Sequence, residues 1–286
     1  MWLIFAFGSA LFAGITAILS KIGIKKTDSN LATAIRTIII LIFSWLMVLV
    51  AGSQTTITTI SNKTLVFLIL SGLATGASWL CYFKALQLGD VNKVTPIDKS
   101  STVLTMILAL IILGEAITIT KLIGMIGIAI GTYMMITKKN VEEKKVGGNK
   151  WLIYASLSAL FASLTAILGK IGIQRIESNL GTAIRTIVVL IMAWIVVFVS
   201  RKQGEIKNID KRSLVFICFS GITTGLSWLC YYRALQDGQA SIVVPIDKLS
   251  IVITVVFSYF LLNEKLTKKS FTGLILIVAG TLTLLV

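Results

Sequence analysis

The chain carries one unit twice, and that limits its fold more than any single motif does. Residues 2–24, WLIFAFGSALFAGITAILSKIGI, return at 151–173 as WLIYASLSALFASLTAILGKIGI, and the offset of 149 residues holds throughout. Arg36 matches Arg185, Trp45 matches Trp194, Trp79 matches Trp228, Pro96 matches Pro245, Asp98 matches Asp247, and Glu115 matches Glu264. Self-similarity of this kind decides the architecture before any local reading. Two copies of one apolar unit, fused head to tail, is how many secondary transporters are built.

The unit is a membrane unit. Of 286 residues, 56% are apolar and 14% charged, where a soluble domain carries about 25% charged residues. Apolar runs of about 20 residues are candidate transmembrane helices. The chain has no histidine, which excludes His-based metal sites and Ser/His or Cys/His catalysis. No motif sets a nucleophile beside a base or metal. Neither enzyme activity nor a cofactor nor a metal site is therefore expected. Cys81 and Cys230 are repeat mates inside apolar runs and Cys218 has no mate; all three read as small buried apolar residues. The net charge of +15 could suggest nucleic acid, but most Lys and Arg lie in short loops between apolar stretches. That is the footprint of cytoplasmic loops, so the lipid bilayer is the expected partner and nucleic acid is not. The first residues lack a basic n-region, and their copy at 151–173 cannot be a leader, so they read as a first span.

Each half divides into five stretches, in the first at 2–24, 31–51, 65–88, 91–113 and 119–137. The organisation is then a first repeat at 1–137, a polar linker KKNVEEKKVGGNK at 138–150, and a second repeat at 151–286. Five is odd, so the second copy enters the membrane upside down. The spacing predicts an all-α integral membrane protein with ten transmembrane helices in two inverted-topology five-helix repeats. Loop charges agree. The loop at 52–63 has one basic residue, while its mate at 200–212 has Arg201, Lys202, Lys207, Lys211 and Arg212. Lys121 alone stands opposite Lys265, Lys268 and Lys269. Basic loops lie on the cytoplasmic side, which puts both termini outside the cytoplasm.

Polar residues recur at helical spacing. Ser71, Thr75, Ser78 and Tyr82 share one face of the third span, and Ser220, Thr224, Ser227 and Tyr231 repeat it. Asp98, Ser101 and Thr105 share a face, as do Asp247, Ser250, Thr254 and Ser258; the first span adds Ser9, Thr16 and Ser20. Any one hydroxyl can simply bond a neighbouring helix. Stripes duplicated in both halves, on faces that also hold ions, are expected to line a polar cavity. Gly124, Gly127 and Gly131, with Gly273 and Gly280, mark the fifth and tenth spans as peripheral packing helices. Gly72 and Gly76, with Gly221 and Gly225, are close-approach sites or a hinge.

Charges within spans are costly and usually face a cavity or one another. Arg36 and Arg185 lie well inside the second and seventh spans and offer forks suited to carboxylate or phosphate. They either contact substrate or lock helices by pairing with Asp98 or Asp247. Asp98-Lys99 and Asp247-Lys248 follow Pro96 and Pro245 in VTPIDKSS and VVPIDKLS. Each proline frees a carbonyl for a ligand or a bend, or else begins an embedded turn. With histidine absent, these aspartates are the candidate proton carriers; the alternative is a static ion pair. Lys21, Lys170, Lys84 and Arg233 lie near span ends and are expected to snorkel. Glu115 and Glu264 end the fourth and ninth spans, where a carboxylate opposes the helix dipole. Each needs a local partner and reads as a structural loop clamp. Trp79 and Trp228 are mid-span, suited to a gate or cavity wall or to packing.

The stretch VVPIDKLSIVITVVFSYFLLNEKLTKKSFTGLILIVAGTLTLLV and its mate resemble the EamA repeat of the drug/metabolite transporter superfamily. A proline early in the fourth helix, Gly/Asn-Glu before the fifth, and a glycine late in the fifth carry the resemblance, which covers the chain twice. It implies an inverted-repeat secondary transporter with a central cavity lined mostly by helices 1, 3, 4, 6, 8 and 9. The Asp-Lys pair after the proline, where the family is usually apolar, points to a polar or ionic substrate. Well-studied ten-helix members keep both termini inside, against the charges here.

These readings combine into a multi-pass inner-membrane transporter that moves a small anionic or zwitterionic metabolite by alternating access, proton-coupled if an aspartate titrates, and acting as a single chain. The site residues expected are Arg36, Arg185, Asp98, Asp247, Lys99, Lys248, Trp79, Trp228, Tyr82 and Tyr231. Pro96 and Pro245 are expected as the helix breaks. The rivals are a flippase for a phosphate-bearing lipid carrier and a non-transporting scaffold whose buried ions are satisfied pairwise.

Overall fold

A computed structural model describes residues 1–23, 27–88, 94, 97, 100–135, 150–262 and 267–286. The described residues form helices joined by turns. In the first half these are α1 (Trp2–Gly23), α2 (Ser29–Val50), α3 (Asn62–Leu88), α4 (Ser101–Ile112) and α5 (Ile119–Met135). In the second they are α6 (Lys150–Ile173), α7 (Ser178–Val199), α8 (Lys211–Asp237), α9 (Ala240–Lys248), α10 (Ser250–Leu262) and α11 (Lys268–Thr283). Short 3-10 turns at Ser53–Thr59 and Gln203–Asn208 precede α3 and α8.

Local chemistry sets matching boundaries in the two halves. Asp28 accepts the N–H groups of Asn30 and Leu31 at the start of α2, and its mate Glu177 accepts those of Asn179 and Leu180 at the start of α7. Thr118 accepts from Lys121 N–H before α5, and its mate Thr267 accepts from Ser270 N–H before α11. Each cap satisfies amide donors that a helix start leaves orphaned.

Seven stretches of the described residues are long and apolar enough to cross a membrane: Trp2–Ser20, Ser29–Val50, Asn62–Tyr82, Lys150–Ile173, Ser178–Val199, Lys211–Asp237 and Ala240–Phe257. α4 and α5 are shorter apolar helices. The outer faces are greasy, with Ile42, Val50, Ile111, Ile123, Phe198 and Phe271 among the exposed side chains.

The core lies between the halves. α1 packs mainly on α8, α3 on α6, α2 on α7 and α5 on α11. The mate helices α2 and α7 run in opposite directions: Asn30 Nδ2 donates to Ser200 Oγ (3.4 Å) at one end, and Val48 clusters with Leu180 and Ala183 at the other. α5 and α11 are also mates and also antiparallel, crossing where Gly124 meets Gly280 and Gly131 meets Gly273. A Cβ at Gly124 would stand 2.6 Å from the Gly280 carbonyl oxygen, so only glycine permits that approach.

Two sequence expectations change here. The ninth span is two helices, and the break is not at the proline. Pro245 sits inside α9, and the helix ends where Leu249 N–H turns back to the Ile246 carbonyl (2.9 Å). Proline removes one donor, but the register slips one turn later. Ser100, the mate of Leu249, repeats the event: its N–H reaches the Ile97 carbonyl (3.2 Å) and α4 begins at Ser101. Pro96 lies outside the described residues. Hydroxyls of the α3 and α8 stripes bond helices of the other half. Ser71 Oγ donates to the Thr165 carbonyl (2.8 Å) and Ser78 Oγ to the Ser158 carbonyl (3.0 Å), joining α3 to α6. Ser227 Oγ donates to the Ser9 carbonyl (3.1 Å) and Thr16 Oγ1 to Thr223 Oγ1 (2.7 Å), joining α8 to α1. In an apolar surround a hydroxyl gains by finding a partner on the next helix.

Candidate functional site

Among the described residues Arg185 is the largest side chain that is essentially fully buried, at 2% exposure. It rises from the middle of α7 into the crossing of α3, α6 and α8. Its Nε donates to Ser71 Oγ (2.9 Å) and its Nη2 to Thr75 Oγ1 (2.5 Å), both on the other half. Its guanidinium lies over the Trp228 ring (5.1 Å) and the Tyr232 ring (4.8 Å). No carboxylate pairs with it among the described residues. Arginine stays charged, so hydroxyl lone pairs and ring faces carry the charge. Nη1 is buried and has no partner.

Arg36, its mate in α2, is half-buried and differently held. Its Nη1 donates to Ser20 Oγ (2.7 Å). Its Nε is buried without a partner, and no ring or carboxylate lies against it among the described residues. The sequence explains the contrast. Ser20, which meets Arg36, has Gly169 as its mate, and Tyr232, which meets Arg185, has Phe83 as its mate. A Cβ at Gly169 would fall 2.7 Å from Tyr232 Cε1. The second half has traded a serine for a tyrosine, and only glycine leaves the tyrosine room.

Of the two aspartates that could lock these arginines, Asp98 lies outside the described residues and Asp247 has other partners. Asp247, at the end of α9, accepts from Ser9 Oγ (2.5 Å) and stands 3.9 Å from its neighbour Lys248. Its donor Ser9 also meets Ser227 Oγ (3.3 Å), next to Trp228 on α8. Tyr231 packs edge-on against Tyr232 at 5.2 Å. The structure thus gathers Arg185, Trp228, Tyr231 and Asp247 into one neighbourhood, with Lys248 at its edge. Trp79 packs elsewhere, against Leu31, Ala34, Ala193 and Val197 between α2 and α7. Tyr82 packs near Trp151 and Tyr154. Asp98, Lys99 and Glu264 lie outside the described residues.

Among the described residues the Glu115 carboxylate finds its hydrogen-bond donors in the other half. It spans the halves, with Oε1 accepting from Ala240 N–H (2.6 Å) and Oε2 from Ser241 N–H (3.0 Å) and the Ser241 hydroxyl. A carboxylate that opposed the dipole of its own helix instead complements the start of α9. Lys121 Nζ donates to Gln239 Oε1 (2.7 Å) and the Ala116 carbonyl (2.9 Å) beside it. Lys170, expected to snorkel, donates instead to the carbonyls of Leu235 (2.9 Å) and Gly238 at the end of α8. Together these three side chains fasten the α8–α9 turn. Arg233 pairs with Asp237 at 3.4 Å on the surface.

Comparison with known proteins settles the class. The EamA-like transporter family model matches this chain twice, over residues 1–137 and 149–286. The chain belongs to the EamA-like transporter family. It is a multi-pass membrane protein and a transporter, not an enzyme. An uncharacterised transporter encoded in the region 3′ of cobO in Sinorhizobium sp. is 42% identical over 136 residues, which is 48% of this chain and 96% of that protein. That relative has the length of one repeat. An uncharacterised protein of Methanocaldococcus jannaschii is 37% identical over 81 residues, 27% of this chain and 59% of its own. A chain of known crystal structure superposes with a TM-score of 0.79 at 13% identity, covering 98% of this chain and 95% of that one; at that identity the likeness concerns the fold alone.

Tyr232 and Gly169 are the site residues that single motifs missed. Their signal lies in the positions where the two copies disagree.

Proposed function

We propose that this chain is a secondary transporter of a small anionic or zwitterionic metabolite, working by alternating access between two mutually inverted five-helix halves. The halves are 1–137 and 151–286, joined by the linker at 138–150, and together they cross the bacterial inner membrane ten times. Antiparallel packing of the mates α2 with α7 and α5 with α11 supports the inversion. The loop charges place both termini outside the cytoplasm. Asp247, with Asp98, is the candidate proton carrier, and a single chain suffices, since each half supplies the other's packing surface.

What supports an anionic substrate most is that Arg36 sits inside an apolar helix with its buried Nε–H unpartnered and no carboxylate against it among the described residues. An uncompensated cation in the hydrocarbon region is costly, and an oxyanion would supply the missing charge. A purely structural scaffold would instead satisfy its buried ions pairwise. The test is a thermal-shift screen of purified protein against metabolites grouped by charge, repeated with Arg36→Ala and Arg185→Ala. Stabilisation by carboxylates or phosphate esters, lost in a variant, is the expected outcome. Stabilisation by cations alone, or retained in full by both variants, contradicts the reading. Stabilisation only by phosphate-bearing lipids would turn it toward lipid translocation.

A further inference from the structure

We propose that the two mate arginines have divided their work: Arg36 takes the oxyanion of the transported solute, and Arg185 is a positioning residue that holds the halves together. The inference rests on the anionic-substrate reading and deepens it. Arg185 is sealed by Ser71, Thr75, Trp228 and Tyr232. A ligand could reach it only by displacing packed rings. Among the described residues no ring and no second hydroxyl covers Arg36 in this way. It is half-buried, makes one bond to Ser20, and keeps a buried Nε–H unspent. An arginine fork engages carboxylate or phosphate through two parallel N–H groups, and an unspent Nε–H leaves one edge of the fork ready.

The surroundings of Arg36 suit an oxyanion. Thr16 lies one helical turn from Ser20 on the same face of α1 and donates to Thr223 Oγ1 (2.7 Å). Ser20, Thr16 and Thr223 are all half-buried. They form a short run of hydroxyls leading away from the serine that Arg36 holds, with no acidic group among them to repel an anion. The second half has lost this arrangement, because Gly169 has replaced the serine and Tyr232 fills the space. An oxyanion can be borne by a soluble metabolite or by a lipid head group, and Arg36 would grip either.

Arginine-selective labelling of the intact protein with phenylglyoxal, read by mass spectrometry in dodecyl maltoside, tests the division. Arg36 should label faster than Arg185. Protection should slow it by about tenfold, the weight of one charge-assisted hydrogen bond. Protection by inorganic phosphate or succinate identifies a soluble oxyanion; protection by phosphatidylglycerol alone identifies a head group; both support the assignment. Arg36→Lys keeps the charge but not the fork, and should fold normally while losing the protecting anion's thermal shift. Faster labelling of Arg185, or its protection in place of Arg36, overturns the assignment and leaves the anionic-substrate reading standing. Protection of neither residue by any of the three probes removes both.

Discussion

Arg36 and Arg185 occupy the same position in two copies of one unit, yet they live in different chemical surroundings. Around Arg185, two hydroxyls from the opposite half and two aromatic rings close over the charge. Around Arg36, among the described residues, one serine accepts from it and a buried N–H has no partner. Two sequence differences, Ser20 against Gly169 and Phe83 against Tyr232, accompany the contrast, and the identical mates Trp79 and Trp228 are also differently placed. A duplicated unit can keep its packing in both copies and let one buried charge become structural while the other stays available.

The comparison breaks first if Arg185 proves dispensable. Arg185→Ala abandons two charge-assisted hydrogen bonds and leaves Ser71 and Thr75 short of a partner, a loss of about 3 kcal/mol or more. Denaturant unfolding in micelles, followed by tryptophan fluorescence, should show it as the least stable of the variants. Gly169→Ser restores the serine of the first half under a tyrosine that leaves no room for it. Overpacking of this kind costs about 1–3 kcal/mol, and the same assay should show that loss, whereas the reciprocal Ser20→Gly should cost less. Glu115→Ala removes the cap that ties the first half to the start of α9, at about 1–2 kcal/mol. Faster proteolysis at the α8–α9 turn should accompany it, and unchanged proteolysis would mean that Lys121 and Lys170 hold the turn unaided. Arg36→Ala should change unfolding least, by under about 1 kcal/mol, while abolishing ligand-induced stabilisation. A large loss of stability there would make the two arginines equivalent.

Much of the architecture was legible because periodicity is a local property. The repeat, the apolar stretches and the embedded arginines could be read directly. Partners could not, since a helical stripe shows which face is polar but not what meets it. The stripe at Ser71, Thr75 and Ser78 shows a polar face, and only the structure shows that it meets Thr165 and Ser158 of the opposite half. Glu115 looked dipole-opposed because only its own helix was in view, and its partner is the start of α9. Pro245 drew attention as a break, although the register slips at Leu249, where nothing in the residue type signals it. Tyr232 was the most accessible omission. Aligning the halves for disagreement, rather than agreement, shows the Ser20/Gly169 and Phe83/Tyr232 exchange at once.

The central claim is that an anionic solute crosses the membrane held by Arg36 between two halves that Arg185 keeps joined. Proteoliposome exchange assays with labelled carboxylates and phosphate esters measure this most directly, comparing the wild type with Arg36→Gln. The account expects at least one anion to exchange through the wild type, and a folded Arg36→Gln protein that carries none. Exchange of cations only, or undiminished anion exchange by Arg36→Gln, would contradict it.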